Sequence, residues 1–155
     1  MRTRTITILT VFMLSLFAVP QMDALSSGPG SVADSGCSCH DLAAAPTPTS
    51  ITVDGFPESF NASETYTFTL TIDNELVVDG AKDHLGGYRI LTTGGTVVNS
   101  DPTLGQELEG GYAHTIAGNK QRSWSFEWTA PADDETNADF TIHANAVNGD
   151  GTFNG

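Results

Sequence analysis

Both cysteines of this 155-residue chain fall within four residues, Cys37-Ser38-Cys39-His40, and a histidine adjoins the second thiol. Two thiols one residue apart beside an imidazole support three kinds of chemistry: a strained disulfide, capture of a soft metal, or covalent attachment of haem. Haem c attachment ordinarily uses thiols two residues apart, so that both vinyl groups are reached, with the adjoining histidine as axial ligand. The spacing here is one residue short, which strains double attachment and leaves open a single thioether or attachment by a specialised ligation system. Cys37, Cys39 and His40 also offer two thiolates and an imidazole, a set suited to copper as Cu(I) or to zinc. The third outcome is a disulfide, either within the pair, where the ring is very small and easily reduced, or between chains. A tetrahedral metal site needs a fourth ligand from elsewhere. His114 is the better candidate, since it sits in a Gly-rich connection ahead of an aromatic strand. His84 lies in a polar loop beside Asp83, and His143 alternates with Ile142 and points away from the core. For each of these three, a hydrogen-bonded or solvent-exposed side chain without a ligand is the competing reading.

What must position this cluster begins with an export leader. Arg2 and Arg4 precede an apolar run from Ile6 to Val19 and then Pro20, the charged, apolar and polar order of a signal peptide, here assigned to residues 1–24 with cleavage near Ala24. The run is shorter than the roughly 20 residues a helix needs to span a bilayer. An exported chain meets an oxidising or metal-bearing environment, which suits a Cys/His cluster. The formal net charge is −13, and loss of the leader, with two arginines and one aspartate, makes it one unit more negative. Nucleic acid and anionic membranes are excluded as partners, because binding them relies on clustered Lys and Arg. The scattered carboxylates read as solvating surface charge.

Residues 25–50 are rich in Ser, Gly, Ala, Pro and Thr and hold few large apolar side chains, so they read as an extended arm presenting the cysteine cluster. From 51 to 155 the pattern changes to short alternating runs. Tyr66, Phe68, Leu70 and Ile72 alternate with threonines, the strongest strand signal in the chain. Ile51 with Val53 forms an earlier short strand, Gly87 to Thr92 another, and Thr96 to Val98 continues it past the Gly94-Gly95 turn. Trp124, Phe126 and Trp128 alternate on one face, and Phe140, Ile142 and Ala144 do so near the end. No segment holds a helical period. The expectation is an all-β, immunoglobulin-like antiparallel β-sandwich of about seven strands, with the three period-2 aromatics of the tryptophan-rich strand in its core and no inter-sheet disulfide.

Several blocks in order also form a pattern: Gly36-Cys37-Ser38-Cys39-His40, Gly55-Phe56-Pro57, Gly86-Gly87-Tyr88, His114-Thr115, Trp124 through Pro131, and Asn145-Ala146-Val147-Asn148-Gly149-Asp150-Gly151. Together they resemble the prokaryotic reelin-domain-like (Reeler) family over roughly residues 36–155. That resemblance implies a secreted or surface-attached β-sandwich without a catalytic reaction, and His114 matches the family's His-Thr position. The chain stops at Gly155 without a closing strand or hydrophobic tail, which reads as a frayed loop or a break in a longer product. Membrane contact is thus expected only through the leader or through an anchor beyond Gly155.

Other candidate sites follow from spacing alone. Asn61-Ala62-Ser63 is an N-glycosylation sequon. Asp133, Asp134, Glu135 and Asp139, and separately Asp150, carry loop oxygens but lack the spacing of a calcium loop. No nucleophile elbow, phosphate loop or zinc-protease motif occurs. The sequence therefore points to a non-enzymatic secreted or cell-surface module for binding or adhesion to an unidentified extracellular ligand. Its alternative is an extracytoplasmic redox protein holding haem c or copper through Cys37, Cys39 and His40.

Overall fold

The computed structural model describes Gly28 and residues 49–75, 84–133 and 137–149. Eight strands form in these segments: β1 (Ser50–Asp54), β2 (Thr65–Asp73), β3 (Gly86–Thr92), β4 (Thr96–Asn99), β5 (Gly105–Leu108), β6 (Gly111–His114), β7 (Ser123–Thr129) and β8 (Phe140–Ala146). A single 3-10 turn, Gly118–Lys120, is the one helical piece among them. The strands make two four-stranded antiparallel sheets, sheet A in the order β1-β2-β7-β4 and sheet B in the order β5-β6-β3-β8. The all-β sandwich expected from the sequence is the observed architecture.

Alternation explains the core. In β2 and β7 the odd residues are Thr, Ser, Asp or Glu and the even ones are large and apolar, and the register sets Phe68 opposite Phe126 and Leu70 opposite Trp124. Those side chains, with Trp128, Tyr88 and Ile90, are at most 1 % exposed. Their rings form a continuous spine through the sandwich. Phe56 meets Phe140 edge-on at 4.5 Å, Phe68 stacks on Phe126 at 5.0 Å, and Tyr88 meets both Phe126 and Trp124 edge-on at 4.9 and 5.0 Å. Such ring pairs add about 1 kcal/mol each beyond the area they bury. The two indole N–H groups donate to the carbonyls of Gly118 and Gly94, so neither is buried unpaired.

Two connections differ from the sequence reading. Thr96 to Val98 does not continue β3. The turn after Thr92 carries the chain from sheet B to sheet A, where β4 pairs with β7. Gly95 makes that crossing, with φ +78° and a backbone that passes against the Thr129 carbonyl and the Trp128 indole, where no Cβ fits. The second difference is the stretch from Gly105 to His114, which forms the β5–β6 hairpin closed through Glu109 and Gly110, both at positive φ. A two-residue hairpin loop needs this left-handed backbone at both positions, usually from Asn-Gly or Asp-Gly. Glutamate in the first position hides the signal.

Candidate functional site

Cys37, Cys39 and His40 lie outside the described residues. The described residues of their arm are Gly28, Thr49 and Ser50, and Gly28 is buried, with φ +98°. A Cβ there would stand 2.6 Å from the His114 carbonyl oxygen and 2.9 Å from the Ala113 Cβ, with the Gln106 amide nitrogen at 3.6 Å. Gly28 therefore rests directly on β6, and only glycine permits that approach.

The face it touches is unusual. Across the β3–β6 and β3–β8 ladders, Arg89 lies opposite Ala113 and His143, while Tyr88 and Ile90 on either side point into the core. Arg89, Ala113 and His143 thus project from the side of sheet B turned away from the core. Arg89 and Ala113 are nevertheless 0 % exposed. The Arg89 guanidinium crosses Gly111 and donates to the carbonyls of Leu108 and Glu109 at 2.8 and 3.1 Å, tying the hairpin turn to β3. His143 is half-buried, and its Nε2 is buried with no hydrogen-bond partner. The outer face of sheet A behaves differently: Thr65, Thr67, Ser123, Ser125, Glu127 and Thr129 are exposed there, and facing hydroxyls pair across the strands, as in Thr65–Thr129 and Thr71–Ser123 at 3.0 Å.

His114 is not in a connecting loop, as its Gly-rich surroundings suggested, but closes β6 and is only 8 % exposed. Its ring fills the gap where β6 leaves β3. Nδ1 lies 3.1 Å from both the N–H and the carbonyl oxygen of Tyr88, accepting from the first when bare and donating to the second when protonated. The ring also covers Gly87, where a Cβ would collide with it. Burial lowers the His114 pKa, with the Tyr88 carbonyl opposing the shift in part. Nδ1 is thus committed to the backbone, which leaves Nε2 as the only nitrogen able to face a metal.

The remaining predicted residues are scattered. His84 is exposed in a left-handed conformation, its Nδ1 3.3 Å from the Asn119 amide. Asn61 is exposed in the β1–β2 loop, with its amide donating to Glu64 at 2.6 Å. Among the described residues no three His, Cys, Asp or Glu side chains gather closely enough to hold a metal.

A second place joins two of the loop carboxylates singled out above, Asp133 and Asp139, to aromatic residues that the sequence reading did not connect with them. At the end of the sandwich where the β1–β2 and β7–β8 loops meet, a cavity of about 430 Å³ opens between Phe56, Phe60, Trp128 and Phe140 on its floor and Glu58, Asp133 and Asp139 around it. Phe60 and Trp128 meet edge-on at 5.1 Å. The sequence signal for this place was the Gly55-Phe56-Pro57 break after β1, where an aromatic residue sits in a loop rather than in an alternating strand.

No family model matches the sequence, and no curated protein matches it significantly. Two crystal structures of the human F-spondin reeler domain are similar to it. One is 16% identical and covers 64% of this chain and 75% of that one, with a TM-score of 0.44. The other is 14% identical over 61% of this chain and 75% of that one, with a TM-score of 0.42.

Proposed function

We propose that this chain is a non-enzymatic, secreted or cell-surface binding module, a β-sandwich that grips an extracellular ligand at its loop end and carries a Cys/His cluster on its amino-terminal arm. The observation that carries the reading is the cavity between Phe56, Phe60, Trp128 and Phe140. It is a concave site at the ends of rigid strands, with aromatic rings at its base and carboxylates around it, an arrangement that can seat a ligand. Its charges are carboxylates, and the whole chain has a formal net charge of −13, so the ligand class is cationic. Because Trp128 lines the cavity, fluorescence reports occupancy directly. Titration with defined basic, neutral and acidic oligopeptides is expected to give saturable binding of the basic one, weakened about tenfold, or roughly 1.4 kcal/mol, by Asp133→Asn with Asp139→Asn. Preference for the acidic peptide, or undiminished binding by the double variant, would overturn the reading.

The arm's cluster is proposed to hold copper or zinc, or to crosslink, through Cys37, Cys39 and His40, and His114 supplies a fourth ligand only through Nε2. The redox alternative uses the same residues for haem c or copper. What favours keeping it is the residue set itself, two thiols and an imidazole within four residues of an exported chain. An optical spectrum of protein made in a host with cytochrome maturation separates the two. Soret and α bands that survive acid-acetone extraction would establish the haem protein. A colourless protein free of metal by mass spectrometry would remove both metal and haem.

A further inference from the structure

We infer that the cavity at the loop end is shaped for an arginine side chain of a partner peptide, in preference to a lysine. The inference rests on the reading of that cavity as a site for a cationic ligand and adds which cation it takes. A guanidinium makes two demands at once. Its faces carry no donors and lie against aromatic rings, while its N–H groups radiate in the plane and bond carboxylates two at a time. The cavity offers both, with Phe56, Phe60 and Phe140 at its base and Glu58, Asp133 and Asp139 around it.

The three carboxylates are available. None has a hydrogen bond or ion pair among the described residues, whereas Glu64 in the same β1–β2 loop is already taken up by the Asn61 amide and the Tyr66 hydroxyl at 2.6 and 2.9 Å. The backbone around them is fixed. Asp139 donates its N–H to the Thr93 hydroxyl at 2.9 Å and accepts from the Thr93 N–H at 3.0 Å, which pins it to the turn after β3. The two loops are joined by Ser63 N–H to the Pro131 carbonyl and by Ala130 N–H to the Glu64 carbonyl, both at 2.9 Å. A site held before its ligand arrives gives up less freedom on binding.

Other cations fit less well. A lysine ammonium is a compact, strongly hydrated charge, and seated on the rings it loses water that carbon cannot replace. A quaternary ammonium needs rings standing apart around its methyl groups. Here the rings touch one another, with Phe56–Phe140, Phe60–Trp128 and Trp128–Phe140 centroids at 4.5, 5.1 and 5.2 Å, so they form one surface rather than separate walls. Such a ligand would also leave the carboxylates without a donor. The chain does not fill the cavity with its own arginines outside the leader: Arg89 is 0 % exposed, and Arg122 bonds loop carbonyls at the other end of the sandwich. The occupant is an arginine of another molecule.

The test is calorimetric titration of the full-length chain with four oligopeptides identical except at a central residue, which is arginine, lysine, trimethyllysine or citrulline. Citrulline keeps the shape of arginine without its charge. The arginine peptide is expected to bind about tenfold tighter than each of the others. Phe60→Leu should bring arginine to within about twofold of lysine, and Asp139→Asn, at an exposed position that disturbs folding least, should weaken the arginine peptide about threefold. If Phe60→Leu does not fold, the peptide series and Asp139→Asn decide the matter. Equal affinity for arginine and lysine, or an arginine affinity unchanged by Asp139→Asn, would refute the inference while leaving a cationic site in place. Trimethyllysine binding as tightly as arginine would replace it with a quaternary-ammonium site. Citrulline binding as tightly as arginine, or no saturable binding by any of the four, would remove the cationic reading of the cavity as well.

Discussion

His114 shows how a single side chain can be chemically suggestive and structurally occupied at once. Its Nδ1 is held by the Tyr88 backbone and its ring fills the space over Gly87. Because burial lowers its folded-state pKa, the neutral ring is the form compatible with the fold. The sign follows: above the unfolded value of about 6.5 both states carry a neutral ring, and as pH falls below it the unfolded chain takes up the proton first, so stability is lost towards the lower folded pKa. The melting temperature is expected to drop between pH 7.5 and 5, and His114→Asn, whose amide reaches the same Tyr88 groups, is expected to flatten that part of the profile. An unchanged slope in the variant would assign the loss to other groups. The sequence made His114 conspicuous by its neighbours, yet only packing reveals that one of its nitrogens is already used. Arg89 is the reverse case: nothing in Gly-Gly-Tyr-Arg-Ile-Leu marks the arginine as a fully buried residue.

At the scale of elements, strands with clean alternation were legible and those without it were not. β2 and β7 repeat Thr or Ser against aromatic and aliphatic residues with one face wet, so period and burial agree. β5 and β6 are four residues each, mostly small or polar, too short for a period to show in them. The two glycines at nearby turns separate conformational from steric demands. Gly95 and Gly110 share φ +78°, but a Cβ on Gly95 collides with Thr129 and Trp128 while one on Gly110 meets nothing within 4 Å. Gly110→Ala should cost about 1 kcal/mol, the left-handed penalty alone. Gly95→Ala should cost about 3 kcal/mol, since overpacking against backbone is added. Urea denaturation of both variants measures the difference, and equal losses would contradict the close approach at the sheet crossing.

Across the whole molecule, Arg122 gathers the end of the sandwich opposite the cavity. Its guanidinium donates to the carbonyls of Asn74, Leu85 and Val147, which follow β2, precede β3 and follow β8. One side chain thereby satisfies three loop carbonyls from both sheets. Burial lowers its pKa, with the nearby Asp73 opposing the shift, but a guanidinium stays charged throughout the working range. Arg122→Ala is expected to lose about 3 kcal/mol in urea denaturation, and Arg122→Lys to recover only part of it, because an ammonium cannot fan out to three carbonyls in one plane. Full recovery by lysine would show that charge rather than the fork is what matters.

The sequence by itself determined the all-β class, the sandwich, the aromatic core and the concentration of reactive chemistry in Cys37-Ser38-Cys39-His40, because period-2 patterning and residue type are local properties of the chain. Only the tertiary structure decided which sheet each strand joins, that His114 is held by the Tyr88 backbone, that Arg89 is buried on an outward face, and that Gly28 sits on β6. Those facts depend on residues far apart in sequence meeting across two sheets, where close packing rather than local pattern fixes which atoms remain free.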